Sequence, residues 1–196
     1  MRIKFKQRDI TDCGAACLAS VAAYFRVSMP VSRIRQFAGT DQRGTNVQGL
    51  VEAAEKMGFL AKGVKGPWES LFKIPLPAIA HVIIKEQIAH YVVLLGANQR
   101  HIKIMDPADG RIHRLQHSEF KKIWTSGLVL IAPGEKFSIR DESTPVSSRI
   151  WQLVKPHRSV LIQALFGAIV FSVLGLAMSL YVGKIVDHVI PEDNRN

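Results

Sequence analysis

The spacing of apolar positions changes twice along this chain. From Cys13 to about Phe25 they lie all round a helical wheel, with Ala16, Cys17, Ser20 and Tyr24 on one flank and Leu18, Val21, Ala22 and Phe25 on another. A helix with no polar face belongs at the centre of a fold. Val31–Phe37 predicts a short second helix, closed by Gly39. A third runs from Val47 to Met57, with Leu50, Val51, Ala54 and Met57 on its apolar side, Thr45 or Asn46 as its cap and Gly58 as its stop. Beyond Pro75 and Pro77 the period shortens. Ala78–Ile84 and His90–Gly96 are β-branched runs separated by the polar Lys85-Glu86-Gln87. Ile102–Met105 and Arg111–Leu115 alternate about Asp109-Gly110, a hairpin turn signal. Ser118–Trp124 predicts a short helix and Gly127–Ala132 a last strand. Helices first and an antiparallel sheet afterwards is an α+β pattern.

The second change comes after residue 133. Gly134–Ser148 is polar, with Gly, Pro and several Ser, and reads as a linker. In 149–157, Trp151, Leu153 and Val154 stand among Arg149, Lys155 and His157, which suits a segment lying at a membrane surface. Ser159 to Gly183 carries no charge. Those 25 residues as helix would reach about 37 Å, enough to cross a bilayer. Gln163 and scattered Gly and Ser suit packing against other helices. Arg149, Lys155 and Arg158 flank the near side, while Asp187, Glu192 and Asp193 outnumber Lys184 and Arg195 beyond it. The positive-inside rule then puts residues 1–158 in the cytoplasm. The alternative is a core helix of a larger soluble protein. With only a dozen residues after it, the span reads as the first of a truncated membrane domain, 158–196.

Composition adds a sign to the first domain. Residues 1–133 hold 19 Lys and Arg against 10 Asp and Glu, and the remainder 7 against 6. A basic domain suits acidic partners, but no nucleic-acid motif accompanies it, so nucleic acid is not expected. The chain has only two cysteines, Cys13 and Cys17, on one helical face. That supports neither a disulfide framework nor a four-ligand zinc site. The start, Met1 to Lys6, has no apolar core and is not a secretory signal, so a reducing compartment is expected here.

Cys13 sits at the predicted start of the central helix, just after Asp12, read as a capping aspartate. A thiol in a helix's first turn meets the positive end of its dipole, which favours the nucleophilic thiolate. Gln7 could set a side-chain N–H beside the backbone N–H of Cys13. Two such donors make an oxyanion hole, and losing one typically costs roughly 2.7–4 kcal/mol. A thiolate also needs a histidine and a group that orients it. His81 lies inside an apolar strand, His101 and His113 on the hairpin, His117 at a helix start, and His157 and His188 beside the apolar span. His90 begins a strand, where its side chain can leave the sheet, and Asp106 ends the next, where it can hold the far nitrogen. Spacing alone equally admits a small buried thiol, a surface histidine and a turn aspartate before Pro107.

Taken together, these stretches carry a resemblance. Gln7, Asp12-Cys13-Gly14 with Cys17-Leu18, the helix within Gly44 to Gly58, Pro77-Ala78-Ile79-Ala80-His81, His90-Tyr91-Val92-Val93-Leu94 and Asp106-Pro107 stand in the order of the double-glycine leader peptidase domain. That domain is the N-terminus of peptidase-containing ABC transporters, which export bacteriocins and signal peptides. The resemblance covers residues 1 to about 133, and the apolar span with Lys184-Ile185-Val186-Asp187 resembles the exporter's first transmembrane helix. It implies a papain-like cysteine peptidase fold, with Cys13 as nucleophile, His90 as general base and acid, Asp106 as orienter, and Gln7 with the Cys13 N–H as oxyanion hole. It implies a precursor peptide whose leader ends in Gly-Gly, cut after that pair, and a homodimer in the bacterial inner membrane with the peptidase on the cytosolic side. Leaders in such systems are often acidic amphipathic helices, which would suit the basic surface. No phosphate-binding GxxxxGK[ST] loop occurs here, so no cofactor is expected in this stretch, and ATP with Mg only in a missing downstream domain. Two other readings remain open: a non-cleaving cargo-docking domain, and a soluble cysteine amidase.

Overall fold

A computed structural model describes residues 5–84, 87–135, 137–139, 141–142, 151 and 153–185. It contains two compact units, Met1–Ser143 and Thr144–Asn196.

The first unit is α+β. Its helices are α1 (Cys13–Tyr24), α2 (Val31–Phe37), α3 (Val47–Lys56) and α4 (His117–Ile123). Its strands are β1 (Phe59–Lys65), β2 (Ala78–Ile84), β3 (Ile88–Ala97), β4 (Ile102–Asp106), β5 (Arg111–Leu115) and β6 (Trp124–Pro133). They form one sheet in the order β1-β6-β2-β3-β4-β5, antiparallel throughout. Successive strand residues point to opposite faces, and both faces are covered. Ile79, Val93 and Met105 join Leu18, Ile34 and Leu50 of the helices in one core. Ala80, Val92 and Leu94 join Phe120 of α4 and Leu71 of the Trp68–Phe72 3-10 turn in the other.

Local chemistry sets the element ends. Asn46 caps α3 by accepting the Gly49 N–H at 2.6 Å, and Gly58 leaves it with φ +91°. Cys13 to Ala22 are all buried. The small Ala15, Ala16, Ala19 and Ala22 let α1 lie close beneath β3, so burial replaces amphipathicity as its stabiliser. Asp12 does not cap α1 as expected. It occupies the N-cap position, but its carboxylate makes no capping bond to the helix. Strand β1 was not foreseen. It is an edge strand whose middle carries Lys62 and Gly63, so its alternation is weak.

The stretch expected as a linker behaves differently in its described part. Phe137 packs against Phe25 and Phe59, with ring centroids 6.4 and 5.1 Å apart. The Glu142 N–H donates to Ser28 O at 2.8 Å, and its carboxylate pairs with Arg33. One aromatic anchor and one ion pair hold this polar sequence to the domain, and the compact unit runs to Ser143. Residues 143–150 lie outside the described residues.

In the second unit, a 3-10 turn (Lys155–His157) leads into α5 (Arg158–Lys184). The stretch from Lys155 has a mean hydropathy of 2.4 and is long and apolar enough to cross a membrane. Its apolar side chains are exposed on every side.

Candidate active site

Three elements converge on Cys13. It opens α1 and is 6% exposed. Strand β3 enters beside it and brings His90, 5% exposed, whose ring lies close enough to the Cys13 side chain for each to act on the other. The β3–β4 register, Val93↔Met105 and Leu94↔Ile104, carries the end of β4 alongside the start of β3. There His90 Nε2–H donates to Asp106 Oδ1 at 2.8 Å. The same oxygen accepts the Ala108 N–H at 2.8 Å, and the Asp106 carbonyl accepts the Gly110 N–H at 2.8 Å. The hairpin turn, with Gly110 at φ +71°, thus fixes the carboxylate that fixes the ring.

The electrostatics follow from this line. Burial works against a charged His90. Hydrogen bonds to Asp106 and Cys13, and the negative charge on each, outweigh it and raise the ring to about 9. Burial also opposes the Asp106 charge. The bonds from His90 and the Ala108 N–H, with the charges of His90 and His113, prevail and hold the carboxyl below its usual range. The site therefore favours a charged His90 ring beside the Cys13 side chain.

The neighbours keep their protons where they are. Burial, then the charges of Cys13 and Asp106, pushes the Cys17 thiol well above the ordinary thiol range. Cys17 stays an S–H and donates to Tyr91 O at 3.3 Å, tying α1 to the residue after His90. Burial, then Cys13 and Cys17, lifts Tyr91 to about 12. His81, directly opposite Tyr91 across β2–β3, sits edge-on to its ring at 5.2 Å. Its Nδ1–H donates to Thr125 Oγ1 at 2.7 Å, and the Thr125 hydroxyl donates back to His81 O at 3.0 Å. Burial, then the His90 charge, lowers His81, so it stays neutral.

Gln7 lies at the same end of the sheet. Its N–H donates to Pro107 O at 2.8 Å, one residue past Asp106. Its side-chain Oε1 is buried without a partner, as is Thr11 Oγ1. Of the four expected residues, the structure brings Cys13, His90 and Asp106 together at the start of α1 and ties the Gln7 backbone to Pro107, next to Asp106. Cys17 and Tyr91 were in the quoted motifs, but their roles were not foreseen. Among the described residues no group of three or more His, Cys, Asp or Glu could hold a metal ion.

A buried cysteine at a helix start, beside a histidine that is hydrogen-bonded to a carboxylate on the adjacent strand, is the arrangement of a cysteine peptidase. The model of the Peptidase C39 family matches residues 3–136, and the chain belongs to that family. It is 32% identical over 192 residues to the lactococcin-G-processing and transport ATP-binding protein LagD of Lactococcus lactis, covering 97% of this chain and 26% of LagD. To the transport/processing ATP-binding protein ComA of Streptococcus pneumoniae it is 30% identical, covering 97% of this chain and 27% of ComA. The chain thus spans about a quarter of the length of these curated relatives. Among solved structures, the peptidase domain of Streptococcus ComA, a bi-functional ABC transporter of a quorum-sensing pathway, superposes with a TM-score of 0.63 at 32% identity, covering 68% of this chain and 99% of that one. A double glycine motif protease from an AMS/PCAT transporter, in complex with its leader peptide, superposes with a TM-score of 0.61 at 31% identity, covering 66% and 90%.

Proposed function

We propose that this chain is the leader-peptidase end of a peptide exporter, cutting a precursor after a Gly-Gly pair before the cargo leaves the cell. The observation that carries it is the juxtaposition of Cys13, at the start of α1, with the hydrogen-bonded His90–Asp106 pair. Family membership and a solved relative seated on a leader peptide support the substrate class.

The Cys13 thiolate attacks the carbonyl carbon of the second glycine. The Cys13 N–H and the Gln7 side-chain amide donate to the oxygen that becomes negative. His90, already protonated, gives its proton to the departing cargo amine as the C–N bond breaks. A thioester between leader and Cys13 remains. His90, now neutral, takes a proton from water, and the hydroxide releases the leader acid and restores the thiolate. Asp106 holds Nε2 throughout, so the other ring nitrogen faces sulfur. Preference for glycine is specificity by exclusion: a narrow groove rejects any β-carbon.

In this reading the peptidase works on the cytosolic side of the bacterial inner membrane, which the apolar length of α5 and the Arg and Lys on its near side support. Assembly as a homodimer and ATP-driven transport belong to parts of the exporter beyond these residues.

The test incubates the full chain, in detergent micelles, with a precursor carrying a Gly-Gly leader, and weighs the products. Cleavage at the single bond after the pair is expected, and none when the second glycine becomes valine. A precursor that binds and stays intact would assign the chain to cargo docking instead.

A further inference from the structure

The segment joining Gln7 to Cys13 is clamped from outside by a charge. Asp12, immediately before Cys13, is 4% exposed. Arg35 of α2 donates to its Oδ1 at 2.5 Å, and the Asp9 N–H donates to its Oδ2 at 3.2 Å. In return the Asp12 N–H donates to Asp9 O at 3.0 Å, closing the 3-10 turn Ile10–Asp12. Both carboxylate oxygens are therefore used, and neither serves α1.

A buried carboxylate one residue from a nucleophilic thiolate is otherwise an obstacle, because like charges oppose each other. We propose that Arg35 is a positioning residue for the nucleophile: its ion pair with Asp12 locks the turn that delivers Cys13 and cancels a negative charge beside the thiolate. This rests on the reading of Cys13 as nucleophile but not on the identity of the peptide. The other titratable groups around Cys13 are His90 and Tyr91 on β3, Asp106 on β4 and Cys17 on its own helix. His81 on β2 acts on His90. None of them touches Arg35 or Asp12 through a hydrogen bond among the described residues.

Thiol chemistry tests this without any peptide substrate. The full chain in detergent is treated with iodoacetamide at pH 6, and the Cys13 adduct is followed by peptide mass mapping. Arg35→Met leaves Asp12 unopposed, and alkylation of Cys13 should slow at least tenfold, since one charge within about 12 Å at an effective dielectric constant of about 20 contributes that much or more. Asp12→Asn leaves Arg35 unopposed and should speed alkylation above the native rate. The double variant should return to within about twofold of it. A role confined to folding would slow both single variants alike. Equal directions, or rates unchanged in both, overturn the proposal. Labelling of Cys17 would reveal that Arg35→Met has unfolded. Asp12→Asn then decides alone, with a rate above native supporting the proposal and a rate at or below it overturning it. Loss of peptide cleavage in the native chain would instead count against the proposed function, since alkylation does not depend on it.

Discussion

Replacing Asp106 by Asn should remove a charge and little else. Asn retains an oxygen where Oδ1 accepts the His90 Nε2–H and the Ala108 N–H, both at 2.8 Å. The ring keeps its orientation and loses its counter-ion. In the native protein His90 stands at about 9 rather than 6.5, a preference for the charged ring of roughly 3 kcal/mol. Two anions, Asp106 and Cys13, create that preference against burial. Removing one should withdraw about half of it, or about one pH unit. The imidazolium is the form present below the shifted value, so activity that needs it is lost as pH rises. The alkaline limb of kcat/KM should therefore fall near 9 in the native chain and near 8 or lower in Asp106→Asn. The assay is cleavage of a Gly-Gly leader precursor by the full chain in detergent, followed by mass spectrometry from pH 6 to 10. An alkaline limb that stays in place while the variant still cuts would refute the assignment of Asp106 as the counter-ion of His90.

Asp106→Ala also removes the oxygen that orients the ring, and kcat at pH 7 should fall about 100-fold with KM little changed, as measured in the same assay. The pair should also show in stability. The raised His90 contributes stability that is complete below about 6.5 and lost as pH rises through about 9. The lowered Asp106 contributes stability that is lost as pH falls below the carboxylate range. The Tm difference between native and Asp106→Ala protein should thus be largest near pH 6 and shrink by pH 10, in thermal melts across that range. Burial and two nearby charges keep Cys17 protonated, so iodoacetamide at pH 7.5 should label Cys13 alone, by peptide mapping. Finally, a Cβ at Gly49 would lie 2.1 Å from Ala38 O. Gly49→Ala should cost about 1–3 kcal/mol in denaturant unfolding, with α2 forced away from α3.

Much of the fold was legible because its signals are local. Gly58 ends α3, Asn46 caps it, and Asp109-Gly110 turns the β4–β5 hairpin, each within a few residues of its effect. Strand β2 runs over the Ala78–Ile84 that its apolar run predicts. Strand β1 leaves little local signal because its pairing with β6, Phe59↔Pro133 through Lys65↔Gly127, is made by a partner about 70 residues away. The same limit applies at the site. Cys13, His90 and Asp106 were readable as residue types at element ends, but only tertiary packing brings them into one line. Asp12 shows the limit most sharply. An aspartate before a helix is a cap by local rule, yet Arg35, 23 residues on, takes its carboxylate. Phe137 likewise looked like part of a polar linker until Phe25 and Phe59 gave it a place to pack.

The proposed function requires the sulfur of Cys13 to form a bond to the leader. Acid-quenching the full chain during turnover of a Gly-Gly leader precursor, then digesting and weighing it, observes that bond directly. A thioester is expected on the peptide containing Cys13, heavier by the leader acid less one water, and absent from Cys13→Ala, which should also leave the precursor uncut. Cleavage that persists in Cys13→Ala, or a leader adduct on any other residue, would contradict it.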